Sequence, residues 1–254
     1  MIDVHTHLLP GVDDGSPSVE VSVPVLERFA ADGVEIVVCT PHLDASRAGS
    51  APYEHHLEIL ADLRRHAPAR PELRLGWEIM LDAPGVDLRD SRLSLGRSSA
   101  VLVEFPRMMV PPRAADELFR LRMSGIVPVL AHPERYWGCT VEQVEEWRRV
   151  GAVIQMDAAG LLGSDRTAAL ASQLLEGGLV DFLASDTHGD TRALLPARRW
   201  LEELGAAEHA ELLTRTNAAR LLANEPMLPV APLERRRGML GRLKELLLGR
   251  RASE

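Results

Sequence analysis

Five of the chain's nine histidines, His5, His7, His42, His132 and His188, stand where an apolar, strand-like segment runs out. Four carboxylates, Asp14, Glu78, Glu104 and Asp186, fall in similar places. Neutral imidazoles mixed with carboxylates are ligands for divalent cations, and with no cysteine among them the set suits Mn, Fe or Zn rather than a thiolate site. Taken singly, each residue has an ordinary explanation. His5-Thr6-His7 is a bare HxH, and Asp13-Asp14-Gly15 has the composition of a turn. Glu78 in LGWEI and Glu104 in VLVEF close apolar runs, where an unpaired carboxylate is costly to bury and needs a cation, an arginine or water beside it. His42 follows a strand in CTPH and His132 in VLAHPERY. Asp186 and His188 follow another in LASDTHG, again one residue apart. Taken together, six of seven strand ends carry His, Asp or Glu, which solvation alone does not account for. The joint pattern reads as a multinuclear metal centre in a hydrolase.

Such a convergence needs a scaffold that aims every strand end at one face. A barrel of alternating β-strands and α-helices does so. Strand signals lie at Ile2–His5, Val34–Thr40, Leu73–Ile79, Ala100–Phe105, Ile126–Ala131, Ala152–Met156 and Val180–Ser185. Most are continuous apolar, β-branched runs, as parallel strands buried on both faces require. Amphipathic helical stretches alternate with them: Val19–Ala31, Tyr53–His66, Ala114–Ser124, Val141–Val150, Arg166–Glu176 and Thr191–Leu204. Pro24 implies a kink in the first helix or a later start. Residues 83–98 read as a loop without a helix. The expected fold is α/β, a distorted seven-stranded TIM-like barrel over 1–224, followed over 225–254 by a proline-rich linker and a basic amphipathic tail. His55, His56, His66 and His209 lie in helical stretches and read as surface residues. Asp157 either joins the site or opens a helix.

Rival chemistries fail on spacing. A cysteine phosphatase needs arginine six residues after its cysteine, whereas Cys39 is followed there by Ala45 and Cys139 by Glu145. No serine-hydrolase elbow or phosphate-binding P-loop is present. A single lysine, Lys244, lies in the tail, so neither a strand-end lysine nor Schiff-base chemistry is available. Two cysteines and no leader-like or membrane-spanning segment point to a reduced, cytoplasmic setting. Of the net charge of −8, residues 233–251 contribute +5 (seven basic residues against two Glu), which leaves −13 on the remainder. An acidic body argues against nucleic acid as a partner. The tail reads as a helix packed on the barrel or on a second copy of the chain, as in a homo-oligomer, or else as a contact with an anionic membrane surface.

MIDVHTHLLPGVDDG, CTPH, GWEI, VLVEFP, AHPERY and SDTHG, in that order, resemble the PHP superfamily of metal-dependent phosphoesterases. They are most similar to its bacterial manganese-dependent protein-tyrosine phosphatases of capsule and exopolysaccharide biosynthesis (the CpsB/YwqE type). The likeness covers roughly residues 1–225 and implies a distorted (β/α)7 barrel with three divalent ions, Mn foremost. It implies that His5, His7, Glu78 and Asp186 hold the first ion. Glu78 as a bridge, Glu104 and His132 hold the second, and Asp14, His42 and His188 the third. Arg135 matches the phosphate-binding arginine, and Arg192 is the candidate for a second, with Arg47 as an alternative. Asp186 and His188 count among the catalytic groups as well as the ligands. The implied reaction is hydrolysis of a phosphate monoester by a hydroxide held between ions. The implied substrate is a phosphotyrosine protein, an autophosphorylating bacterial tyrosine kinase of polysaccharide export. Alternatives are a small-metabolite phosphatase (histidinol phosphate or a nucleotide) and a non-catalytic metal-binding module that docks a kinase.

Overall fold

The computed structural model describes residues 1–234, so nearly all of the expected basic tail lies outside the described residues. Among the described residues nine parallel strands build the centre: β1 (Ile2–Thr6), β2 (Ile36–Cys39), β3 (His42–Asp44), β4 (Glu72–Leu75), β5 (Glu78–Met80), β6 (Ala100–Glu104), β7 (Val127–Leu130), β8 (Val153–Asp157) and β9 (Phe182–Ala184). They make seven staves, because the second runs as β2 then β3 and the third as β4 then β5. The third was expected to be continuous over Leu73–Ile79, and the second to end at Thr40, whereas it resumes at His42. Pro41 has no N–H for the ladder and interrupts one. Gly76 interrupts the other, where a Cβ would lie 2.9 Å from the Leu95 side chain and 3.0 Å from Val38. Leu95 belongs to the helixless 83–98 segment, whose short 3₁₀ turns push it into the barrel.

Hydrogen bonding links β1-β2-β4 in one sheet and β3-β5-β6-β7-β8-β9 in another. The last stave returns to the first through a Thr6–Thr187 bridge. Asp186 N–H donates to His5 O (3.0 Å) and His7 N–H to Thr187 O (2.8 Å) across the same seam. This is the expected distorted seven-stave barrel. Its interior is filled by Ile2, Val4, Val38, Leu95, Leu102, Val129, Val153 and Phe182. Alternate residues such as Val37, Val101, Val103, Leu130, Ile154 and Leu183 pack outward under the helices.

The helices are α1 (Val19–Ala31), α2 (Tyr53–His66), α3 (Ala114–Met123), α4 (Val141–Arg149), α5 (Arg166–Glu176), α6 (Leu195–Glu203), α7 (Ala207–Glu211) and α8 (Asn217–Leu222). α1 starts at Val19 and continues through Pro24, so no later start is needed. α6 begins four residues after the expected Thr191. Asp190 accepts from Thr187 Oγ1 (3.1 Å) and Arg192 N–H (3.0 Å), locking those residues into a turn. α8 closes the N-terminal mouth of the barrel with Ala218, Leu221 and Leu222. Residues 225–234 have no regular structure but are docked. Asn217 exchanges two 2.9 Å hydrogen bonds with the Leu228 backbone, and Val230 and Leu233 are buried.

Candidate metal centre

The site begins with a fault in the first stave. β1 pairs Ile2 with Ile36 and Asp3 with Val37, but then Thr6 with Cys39. Three steps on β1 therefore match two on β2, a β-bulge. Ile2 and Val4 point inward, and the extra residue resets the alternation so that His5 and His7 point inward too while Thr6 faces out. Bulges re-aim side chains in this way beside functional sites. Asp3, buried on the outer side, accepts from Ser185 N–H (3.1 Å) and covers the irregularity. Burial pushes its carboxyl up to about 6, against the hydrogen bonds from Ser185 and His5.

His5 and His7 present their Nε2 atoms 3.3 Å apart. Both face Glu78 Oε2 (3.3 and 3.2 Å) and Asp186 Oδ1 (3.4 and 3.3 Å). His132 Nε2 lies 2.8 Å from Glu78 Oε1. His42 Nδ1 lies 3.1 Å from Glu78 Oε2 and 3.6 Å from Glu104 Oε1. Asp14 Oδ1 stands 3.4 Å from His42 Nε2 and 3.6 Å from His188 Nε2. Donor atoms within 4.8 Å of one another fall into four overlapping sets: His5/His7/Asp186, His5/Glu78/His132, His42/Glu78/Glu104 and His7/Asp14/His42/His188. Among the described residues these sets contain all nine sequence-predicted ligands and nothing else. The grouping differs from the expected one: Glu78 falls outside the His5/His7/Asp186 set, and His7 also joins the rim set. Glu104 shares a set with Glu78 and His42, and His132 shares one with Glu78 and His5.

The centre has two tiers. His5, His7, Glu78, Glu104, His132 and Asp186 form a buried floor. Asp14 and His42, with side chains 73% and 40% exposed, form the rim with the half-buried His188. Gly15 lets the rim loop lie on the floor, because a Cβ there would come within 2.3 Å of His7 O.

The floor fits cations. Asp186 Oδ1 is buried without a hydrogen-bond donor, and two imidazole nitrogens converge on the same point. Burial would lower His5, but Glu78 and Asp186 overcome it and raise it to about 9. His7 is likewise raised against burial, by Asp13, Asp186 and Glu78. Burial would raise Glu78, yet His5, His132 and His42 hold it well below the usual carboxylate range. Glu104 goes up, through burial and the neighbouring Glu78. Such a cluster binds positive charge as protons or as metal, and the two compete.

Two arginines meet on the far oxygen of the same carboxylate. Arg135 Nη1 donates to Asp186 Oδ2 (2.5 Å) and Asp157 Oδ2 (3.1 Å), and Arg192 Nη1 to Asp186 Oδ2 (3.2 Å). Arg47 sits exposed on the 3₁₀ turn Ala45–Ser50, with no ion pair to the centre. Asp157 therefore joins the site as a partner of Arg135.

Sequence reading missed the residues that orient the ligands. Asp13 Oδ2 accepts from His7 Nδ1–H at 2.7 Å and from His42 N–H at 3.3 Å. Gln155 Oε1 accepts from His5 Nδ1–H at 3.0 Å and its amide donates to Asp157 (3.3 Å). Such partners fix the tautomer that leaves Nε2 free to ligate. The Asp-Asp-Gly run was the one available signal for Asp13. Gln155, inside an apolar strand, signalled only that a buried amide needs a partner. His56, expected at the surface, is instead buried and stacked on Trp77 with ring centroids 4.7 Å apart.

A family model described as capsular polysaccharide synthesis, CpsB/CapC, matches residues 1–223. The tyrosine-protein phosphatase YwqE of Bacillus subtilis is 30% identical over 254 aligned residues, covering 93% of this chain and 98% of the relative. The tyrosine-protein phosphatase CpsB of Streptococcus agalactiae is 29% identical over 243 residues, covering 88% and 99%. A crystal structure from work on YwqE of B. subtilis and CpsB of Streptococcus pneumoniae, described as unique metal-dependent tyrosine phosphatases, superposes with a TM-score of 0.75 at 26% identity. It covers 92% of this chain and 100% of that one.

Proposed function

The chain belongs to the CpsB/CapC family of capsular polysaccharide synthesis, and from that premise we propose that it is a metal-dependent protein-tyrosine phosphatase. The observation that carries the reading is the paired arginine contact. One oxygen of Asp186 faces the His5–His7 floor and the other takes both Arg135 and Arg192. A phosphate set over the floor would thus have two guanidiniums at its side. Planar guanidinium forks match phosphate oxygens and neutralise charge that develops on them.

Three ions, Mn foremost, would be held by the nine converging residues. His5, His7, Glu78 and Asp186 would take one, and Glu78, Glu104 and His132 a second. Asp14, His42 and His188 would take the third, at the rim. Divalent ions in such a cluster supply an activated water near neutral pH and Lewis-acid neutralisation of phosphoryl charge. The protein's own groups do the rest. Asp13 and Gln155 hold the His7 and His5 rings in register. Asp157 and Asp186 pin Arg135 at a fixed angle, so little ordering is left for the moment of reaction. A phenolate leaves readily, so the site needs no strong proton donor of its own.

The physiological substrate proposed is an autophosphorylating tyrosine kinase of polysaccharide export, reached in the cytoplasm. Among the described residues no helix is long and apolar enough to cross a membrane. The domain is taken to be 1–224. The test is metal analysis of the purified chain followed by rates on a phosphotyrosyl peptide, histidinol phosphate and a nucleotide. The expected result is preference for the peptide with Mn present. A preference for histidinol phosphate by orders of magnitude would overturn the substrate, and absence of turnover on all three would leave a docking module.

A further inference from the structure

Trp137 is 73% exposed, yet it is not loose. The Arg166 guanidinium lies 4.6 Å from its ring centroid. Its backbone N–H donates to Met108 O at 2.7 Å, and the Met109 and Trp137 backbones form a parallel bridge. Met109 is also exposed. A large ring left in water, with a guanidinium over it and its backbone fixed in place, is a feature of binding surfaces more than of packing.

Its position bears on the centre. The bridge ties the loop that follows Glu104 to the loop that follows His132. Arg135 precedes Trp137 by two residues. Between them Tyr136 is turned inward, its O–H donating to Ala131 O (2.8 Å) and its ring 5.9 Å from that of His132. One short segment therefore carries both the guanidinium that faces the centre and the indole that faces solvent. Beside the indole lies a cleft of about 530 Å³ bounded by Val110, Pro111, Pro112 and Gly138. A second, of about 680 Å³, opens on Leu81, Phe105 and Pro106, which follow the ligand-bearing β5 and β6. On an otherwise acidic body, this rim exposes Arg107, Arg113 and Arg166. Three non-glycine residues of the rim loop, Arg107, Met108 and Arg113, hold φ of 57°, 50° and 62°. Backbone of this kind persists only where its surroundings impose it.

We propose that the Trp137–Met109 ridge is the specificity surface of the centre. It packs against the aromatic ring of a phosphotyrosyl residue and the peptide beside it, while Arg135 takes the phosphate. Arg113 is paired with Asp116 (2.6 Å), and Arg107 and Arg166 fit acidic residues flanking the phosphotyrosine. This assignment rests on the phosphatase reading above and names what that reading leaves open: which residues distinguish an aryl phosphate on a protein from a small alkyl phosphate.

The test uses the full chain loaded with Mn, assayed on a phosphotyrosyl peptide and on glycerol phosphate. For Trp137→Ala, the peptide KM should rise about tenfold more than the glycerol phosphate KM, with metal content unchanged. Trp137→Phe should recover most of the difference, and Met109→Ala should show a smaller effect of the same sign. Equal losses on both substrates would make Trp137 a support for Arg135 and overturn the proposal, as would no loss on either. Wild-type protein inactive on the peptide would sink the phosphatase reading and this one with it. An active wild type with an unchanged Trp137→Ala would sink this one alone.

Discussion

Replacing Asp13 by Asn leaves the side-chain volume intact but changes what His7 can do. The Asp13 carboxylate accepts only, so the neutral His7 ring that ligation requires keeps its proton on Nδ1 and turns a bare Nε2 toward Glu78 and Asp186. An Asn amide can instead donate to Nδ1. The proton then moves to Nε2 and points into the cluster, 3.2–3.3 Å from the two carboxylate oxygens, where a metal would have to bind. The Gly15 N–H bond to Oδ1 (3.0 Å) can persist in the Asn variant, so the loop should keep its shape. Loss of such an orienting partner typically costs about 10- to 100-fold in metal affinity or activity, or about 1.4–2.7 kcal/mol. Because Asp13 also receives the His42 N–H, both tiers should weaken. The assay is Mn titration of metal-free protein against a competing chelator, with kcat on an aryl phosphate and a thermal melt of the metal-free form. Wild-type affinity and turnover in Asp13→Asn would refute the tautomer argument. A lowered melting temperature without metal would show that Asp13 serves the fold instead.

Arg135→Ala should lower kcat about a hundredfold while metal content stays at the wild-type level, since Arg192 still reaches Asp186 at 3.2 Å. Metal loss in that variant would make Arg135 a holder of Asp186 and remove it from phosphate binding. The pH dependence of stability should differ in sign between the two loading states. In metal-free protein His5 is raised from 6.5 to about 9, so its proton stabilises the fold fully below pH 6.5 and that contribution is lost as pH rises through 9. Ligation requires the deprotonated ring, so Mn-loaded protein should gain stability over the same range. Melts from pH 6 to 9, with chelator and with Mn, would show opposite slopes, and parallel slopes would refute the competition.

The ligands were legible in the sequence because a parallel barrel turns strand ends into a face. His42, Glu78, Glu104, His132 and Asp186 each close a run too apolar to be a loop, so residue type and place agree in the sequence alone. The helices α1, α2 and α5 were bounded correctly by amphipathic period. What stayed hidden depends on relations between strands rather than on local pattern. The bulge in β1 exists only relative to β2. Asp13 looked like turn chemistry because its partner, His7, is brought near by a loop folding back. Gln155 sits among apolar residues that give no hint of an imidazole across the barrel. The breaks at Pro41 and Gly76 were visible as residues, but the sheet exchange they cause was not. His56 sits on an exposed-looking helix and is buried by Trp77, which arrives from the break between β4 and β5.

The bulge between Asp3 and Thr6 has a consequence for how such a centre can arise or vanish. Paired with β2 in regular alternation, without the bulge, the same residues would still put Ile2 and Val4 in the interior. The two histidines, however, would be turned by half a pleat, into the layer beneath the helices. Metal binding in this barrel is therefore a property of chain phase as much as of residue type. Any change that let the same residues pair with β2 without the bulge would keep every histidine and leave no floor for a metal.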